Sequence, residues 1–242
     1  GNLPDFARDL LAFHERCRDQ YGDIVRLKLG PRTVYVLNHP ELIHEVLVAN
    51  HRNFIKHSFF WRHVTAIFGN GLLTSEGDSW LHQRRLMAPA FHRERIAAYG
   101  ETMVDYTQRM LRDWQPGQVR NVHHDMMHLT LEIVGKVLFD ADVEGDADAI
   151  GTAFDAVTDE IAARFRRPLF IPDWIPIPGN LRYRAGVAAL DNLVYRIIRE
   201  HRAGGAQGGD LLSMLMHARA EDDSQMTDRE LRDESVTLLL AG

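Results

Sequence analysis

The sequence predicts a mainly α-helical fold with one small β-sheet near its N-terminus. Two patterns carry that prediction: apolar residues recur at helical spacing through most of the chain after residue 77, and strand-like alternation is confined to residues 23–37. Bulk supports it. A chain of 242 residues with 45% hydrophobic and 26% charged side chains can bury a sizeable core. The same composition excludes a disordered, collagen-like or disulfide-stapled chain.

Residues 5–19 set Phe6, Leu10, Phe13 and Cys17 at helical spacing among charged residues, which predicts an amphipathic helix running into a turn at Gly22. Cys17 falls on its apolar side. As the single cysteine it forms no internal disulfide, fits a reducing compartment and excludes a multi-thiolate zinc site; a buried structural role is expected. Residues 23–37 alternate around Gly30-Pro31 and predict a β-hairpin. Pro40 predicts the first position of a helix reaching about residue 50, because its missing N–H costs nothing there. Residues 51–76 are irregular and aromatic (Phe54, Phe59, Phe60, Trp61, Phe68), a composition suited to a long loop over something apolar, with room for a short helical turn. Helices are then predicted over roughly 78–88, 93–114, 121–139, 147–166, 180–203, 210–219 and 228–242. Breaks fall at Pro116-Gly117, at Gly145, in 168–179 and in the glycine-rich stretch 204–209. Thr227 and Glu230 have the spacing of a capping box, in which each side chain satisfies a backbone N–H that the other's turn leaves unpaired.

Several function classes drop out. The formal net charge of -6 gives no overall electrostatic reason to bind nucleic acid or an anionic membrane surface. No run approaches the ~20 apolar residues of a membrane span. The first residues lack the basic start and apolar run of a secretory signal and also suit the trimmed beginning of a longer chain; a cytoplasmic location is expected, in keeping with the reducing compartment that the single cysteine fits. Gly204 to Gly209 lacks the Lys-Ser/Thr of a phosphate loop, and neither a Gly-x-Ser-x-Gly elbow nor a His-Glu-x-x-His helix occurs. His124 and His128 lie four apart on one helix, with His123 and Asp125 beside them, a spacing compatible with a metal pair. No separate ligand motif completes it, and a histidine-rich surface is the simpler account. The apolar run 236–242 stops without a charged last turn, so the sequence reads as cut inside a buried helix.

The most informative segment spans residues 70–91. Trp80 and Arg84 stand at i and i+4, presenting an indole N–H and a guanidinium fork in one direction. Both are donors, suited to a buried anion with several acceptor oxygens. By spacing alone, a Trp/Arg stacking pair on a surface helix explains the same pattern.

Trp80-x-x-x-Arg84-Arg followed by Pro89-Ala-Phe91, and preceded by Asn70-Gly-Leu-Leu-Thr74, resembles the C-helix region of the cytochrome P450 family of heme-thiolate monooxygenases. Tyr21-Gly-Asp-Ile-Val-Arg26 and Val36-Leu-Asn-His-Pro40-Glu resemble that family's first sheet and B helix, and Phe54-Ile-Lys56 the approach to its B–C loop. The proline-broken apolar stretch 168–178 resembles the loop between its F and G helices, a mobile flap over a ligand. Asp233 onward, ending Leu-Ala241-Gly242, resembles the start of its I helix.

The resemblance implies a mainly α cytochrome P450 fold, with residues 1–242 a single incomplete domain from the A helix to the start of the I helix. It implies heme b as cofactor, with Trp80 and Arg84 donating to the propionates and Lys56 as a third cation. Leu72 and Phe91 would pack near the porphyrin, and Ala241 and Gly242 would face its distal side. Leu73 joins Phe60, Trp61, Ile161 and Phe165 as substrate contacts. The acid-Thr pair, the Glu-x-x-Arg pair and the axial cysteine are all expected beyond Gly242; no catalytic residue or metal ligand is expected within 1–242, and the chain alone should be inactive. Cys17 has none of the ligand loop's flanking residues. The implied activity is insertion of one atom of O₂ into a small apolar substrate by a monomeric enzyme; fatty acids, terpenes, steroids and polyketides all suit it, with a fatty acid or terpenoid ranked first. Electrons would come from NAD(P)H through a ferredoxin or a flavoprotein reductase. Two alternatives remain at this stage: a non-catalytic helical module binding an apolar ligand, and a regulator's ligand domain, which should carry a helix-turn-helix that the sequence lacks.

Overall fold

The alternation at residues 23–37 becomes an antiparallel hairpin in the computed structural model, β1 (Ile24–Leu29) paired with β2 (Arg32–Leu37). The structure describes residues 2–56, 61–166, 171–204, 209–218 and 225–241. Val25, Leu27 and Leu29 point inward, while Ile24, Arg26 and Lys28 point out, as a period of two requires. Gly30 has φ +62°, a left-handed conformation that lets a two-residue connection reverse the chain.

Two compact units emerge. The first comprises residues 1–62 and 161–175. Here the expected single helix over 5–19 is two, α1 (Leu3–Arg8) and α2 (Leu10–Tyr21). Asp9 causes the break: its backbone is extended, and its carboxylate accepts from the Ala12 N–H at 3.0 Å, capping the second helix instead of continuing the first. Phe13 and Cys17 of α2 pack with Val25, Leu27 and Leu29 of β1, and Phe6, Val34 and Val36 close over them. Cys17 is therefore a buried structural thiol. The helix expected from Pro40 to about residue 50 is α3 (Pro40–His44) followed by a π-helical turn over Glu45–Ala49.

The second unit comprises residues 63–160 and 176–242. It contains nearly all of α4 (Arg62–Phe68), the short helix anticipated in the long loop. There follow α5 (Gly77–Met87), α6 (Arg93–Arg112), α7 (Val122–Phe139), α8 (Ala147–Arg166, which continues into the first unit), α9 (Pro178–Ala203), α10 (Leu211–His217) and α11 (Asp228–Ala241). α9 starts two residues earlier than expected because Pro178 serves as its first residue. Leu190, Leu193, Val194 and Ile197 of α9, Leu211, Leu212 and Leu215 of α10, and Leu231, Val236 and Leu239 of α11 are buried and form the heart of this unit. The capping box is present: Thr227 N–H donates to Glu230 Oε2 at 2.8 Å and Glu230 N–H to Thr227 Oγ1 at 3.3 Å. Among the described residues, no helix is long and apolar enough to cross a membrane.

Candidate functional site

Between α4 and α5 the chain makes a tight loop over residues 69–76, fixed from both sides. From its own side, Thr74 Oγ1 lies 2.8 Å from the Gly69 carbonyl and 3.1 Å from that of Gly71. Buried Gln83 of α5 accepts from Ser75 Oγ at 2.5 Å and donates to the Asn70 carbonyl at 2.7 Å. From the other side α11 presents two carboxylates. Asp233 Oδ2 accepts from the Asn70 N–H at 2.9 Å, and Glu234 Oε2 from the Leu72 N–H at 3.0 Å. The approach is so close that a Cβ on Gly71 would meet Thr237 Oγ1 at 2.5 Å and the Asp233 carbonyl at 2.6 Å, so only glycine fits.

Arg232 balances this cluster. Its guanidinium donates to Asp191 of α9 at 2.7 Å, to Asp233 at 2.9 Å and to the Ile67 carbonyl at 2.5 Å. Burial works against its charge, but Asp191 and Asp233 outweigh that and raise its pKa above the ordinary arginine value. Glu234 has no such cation among the described residues. Its side chain is fully buried, Oε1 has no partner among the described residues, and desolvation with the neighbouring Asp233 and Glu230 charges pushes its pKa up to about 7 against the pull of the Leu72 N–H. The sequence reading missed these residues. Their signal was Arg232-Asp233-Glu234, three consecutive charges in the second turn of a helix whose following residues are buried.

The loop so held delivers α5. On it Arg84 lies 5.4 Å from the centroid of the half-buried Trp80 ring, a cation–π stack, and among the described residues the exposed guanidinium has no ion-pair partner. Of the expected cofactor contacts, these two are brought together. Half-buried Leu72 and exposed Leu73 sit on the loop before them. Phe91 ends the 3₁₀ turn after α5 and is 45% exposed, while Tyr99 donates to the neighbouring Ala90 carbonyl at 2.9 Å. Ala241 is the last residue of α11, exposed. Half-buried Lys56, Trp61 and Ile161 belong to the first unit. Phe60, Gly242 and the Phe165 side chain lie outside the described residues.

A stacked Trp/Arg pair whose guanidinium has no ion-pair partner among the described residues is a donor-only surface, chemically matched to a carboxylate such as a porphyrin propionate. The sequence profile of the family described as Cytochrome P450 matches residues 1–242. The chain belongs to the cytochrome P450 family. Members of this family bind heme b, and the Trp80/Arg84 donor set fits its acidic edge. Among relatives, the chain is 37% identical over 224 residues to a cyclooctat-9-en-7-ol 5-monooxygenase of Streptomyces melanosporofaciens, covering 92% of this chain and 48% of that protein. It is 34% identical over 226 residues to a pentalenene oxygenase of Streptomyces avermitilis, covering 92% and 49%. A mouse leukotriene-B4 omega-hydroxylase 3 is 26% identical over 238 residues, covering 88% and 45%. The chain thus spans about half the length of the P450 relatives it matches.

Proposed function

We propose that residues 1–242 form the N-terminal part of a single cytochrome P450 domain whose enzyme hydroxylates an apolar terpenoid, using O₂ and electrons from NAD(P)H delivered by a ferredoxin or flavoprotein reductase. A monomeric cytoplasmic enzyme is the form proposed. The observation that carries this reading is the family match across all of residues 1–242. The terpenoid class rests on the relatives named for pentalenene and cyclooctat-9-en-7-ol.

When bound, heme would supply the oxygen activation. This chain's residues supply placement. Arg84 and the Trp80 indole N–H would bind propionate oxygens. The α11 carboxylates fix the loop that carries Leu72 and Leu73, so α5 presents its donors without a loop-ordering cost on binding. Leu73 is assigned to the substrate side, and Phe91 and Ala241 to the apolar surface around the cofactor that keeps water away.

The test is the absorption spectrum of the full-length protein, reduced and exposed to carbon monoxide. A red-shifted Soret band of the thiolate type is expected, and a protein that takes up no heme would sink the reading. Arg84→Ala should reduce heme occupancy well below that of Arg85→Ala, whose side chain leaves α5 in another direction; equal occupancy would remove Arg84 from the propionate site.

A further inference from the structure

The histidine pair on α7 is completed by a residue from a different helix. His124 and His128 stack with ring centroids 4.3 Å apart and planes inclined by 32°. Both aim Nε2 at one atom, Asp148 Oδ1 in the first turn of α8, at 3.1 and 2.8 Å. The three ligand atoms lie within 4.8 Å of one another. Asp125, the carboxylate nearest in sequence, is not part of the group: Arg120 holds both its oxygens, at 2.7 and 3.0 Å.

We propose that His124, His128 and Asp148 form a surface site for a borderline divalent cation of the zinc class, which would tie the first turns of α7 to the start of α8. Ligand type argues for this class, since two imidazoles and one carboxylate suit zinc, nickel or copper better than magnesium or calcium. Geometry argues for it too. Zinc bonds of about 2.0–2.1 Å in a tetrahedron place neighbouring ligand atoms about 3.3 Å apart, so the two His–Asp148 separations of 3.1 and 2.8 Å need to open by only a few tenths of an ångström. The side chains of His124, His128 and Asp148 are 52%, 26% and 83% exposed, so a cation has an open path and a coordination position left for water. The sequence pointed to the pair but not to its completion, because Asp148 lies twenty residues beyond His128 on another helix.

Titration calorimetry of the full-length, heme-loaded protein, stripped of adventitious metal with a chelator and titrated with ZnCl₂, tests the site. The expected result is one saturable event per chain that His124→Ala and His128→Ala each weaken at least tenfold. His123→Ala, outside the cluster, should bind as the parent does. The melting temperature should rise with ZnCl₂ in the parent and in His123→Ala but not in the other two, which separates a lost site from a misfolded variant. Absence of saturable binding in the parent, or undiminished binding in the His124/His128 double variant, overturns the proposal. Parental affinity in Asp148→Asn overturns the three-ligand site as well.

Discussion

Trp80 and Arg84 are both donors, and the two readings of their pairing differ at a single atom, the indole Nε1. If the ring serves only as a platform for the guanidinium 5.4 Å from its centroid, another aromatic ring should serve nearly as well. If the indole N–H also binds a carboxylate oxygen of the cofactor, phenylalanine keeps the stack and loses the bond. A hydrogen bond to a charged group contributes about 1.5–3 kcal/mol, which is roughly a tenfold or greater change in affinity. Trp80→Phe is therefore expected to raise the heme dissociation constant by about tenfold, measured by heme transfer to an apoprotein acceptor. An unchanged constant would reduce Trp80 to a stacking surface. Helical spacing alone made the shared direction of these two side chains readable. It could not show that Arg84 lacks a carboxylate partner among the described residues, because a partner on another helix leaves no trace in local sequence.

At the scale of elements, the loop over residues 69–76 shows what local reading reaches and where it stops. Asn70 and Gly71 marked a turn, and Thr227 with Glu230 marked the start of α11, each from short-range chemistry. That the turn docks on α11, with the N–H groups of Asn70 and Leu72 given to Asp233 and Glu234, depends on residues more than 160 positions apart. No periodicity encodes such a pairing. Its steric consequence is testable: a methyl group on Gly71 would overlap Thr237 Oγ1 and the Asp233 carbonyl, so Gly71→Ala must push the loop off α11. Overpacking of this kind costs about 1–3 kcal/mol. The expected outcome is a lowered urea midpoint together with weaker heme retention, since α5 leaves the loop directly. A variant with the parental midpoint would mean that the loop is not held against α11.

For the whole molecule, helical periodicity and one short alternating stretch were enough to place most elements, because burying one face of each helix is a local pattern. The break at Asp9 and the π-helical turn after α3 were not legible. In the first, a side-chain cap outcompetes helix propagation; for the second the structure shows no local cause in the sequence. Least legible was a buried acid at the start of α11, and it gives global stability a definite pH dependence. Glu234 is raised to about 7 from an ordinary value of 4.5, so between those values the folded protein keeps a proton that the unfolded chain releases. Stability must then fall as pH rises through that window, with the penalty complete above pH 7 and absent below about 4.5. At about 1.4 kcal/mol per pH unit, the full penalty is about 3 kcal/mol, most of it developing between pH 5 and 8. Glu234→Gln keeps an oxygen for the Leu72 N–H and cannot ionise. Its urea midpoint should therefore gain on the parent's by an amount equivalent to about 2 kcal/mol as pH goes from 5 to 8. Parallel midpoints for the two proteins across that range would show that Glu234 is ionised in the folded state at no cost, and that an unseen proton or cation partner reaches its Oε1.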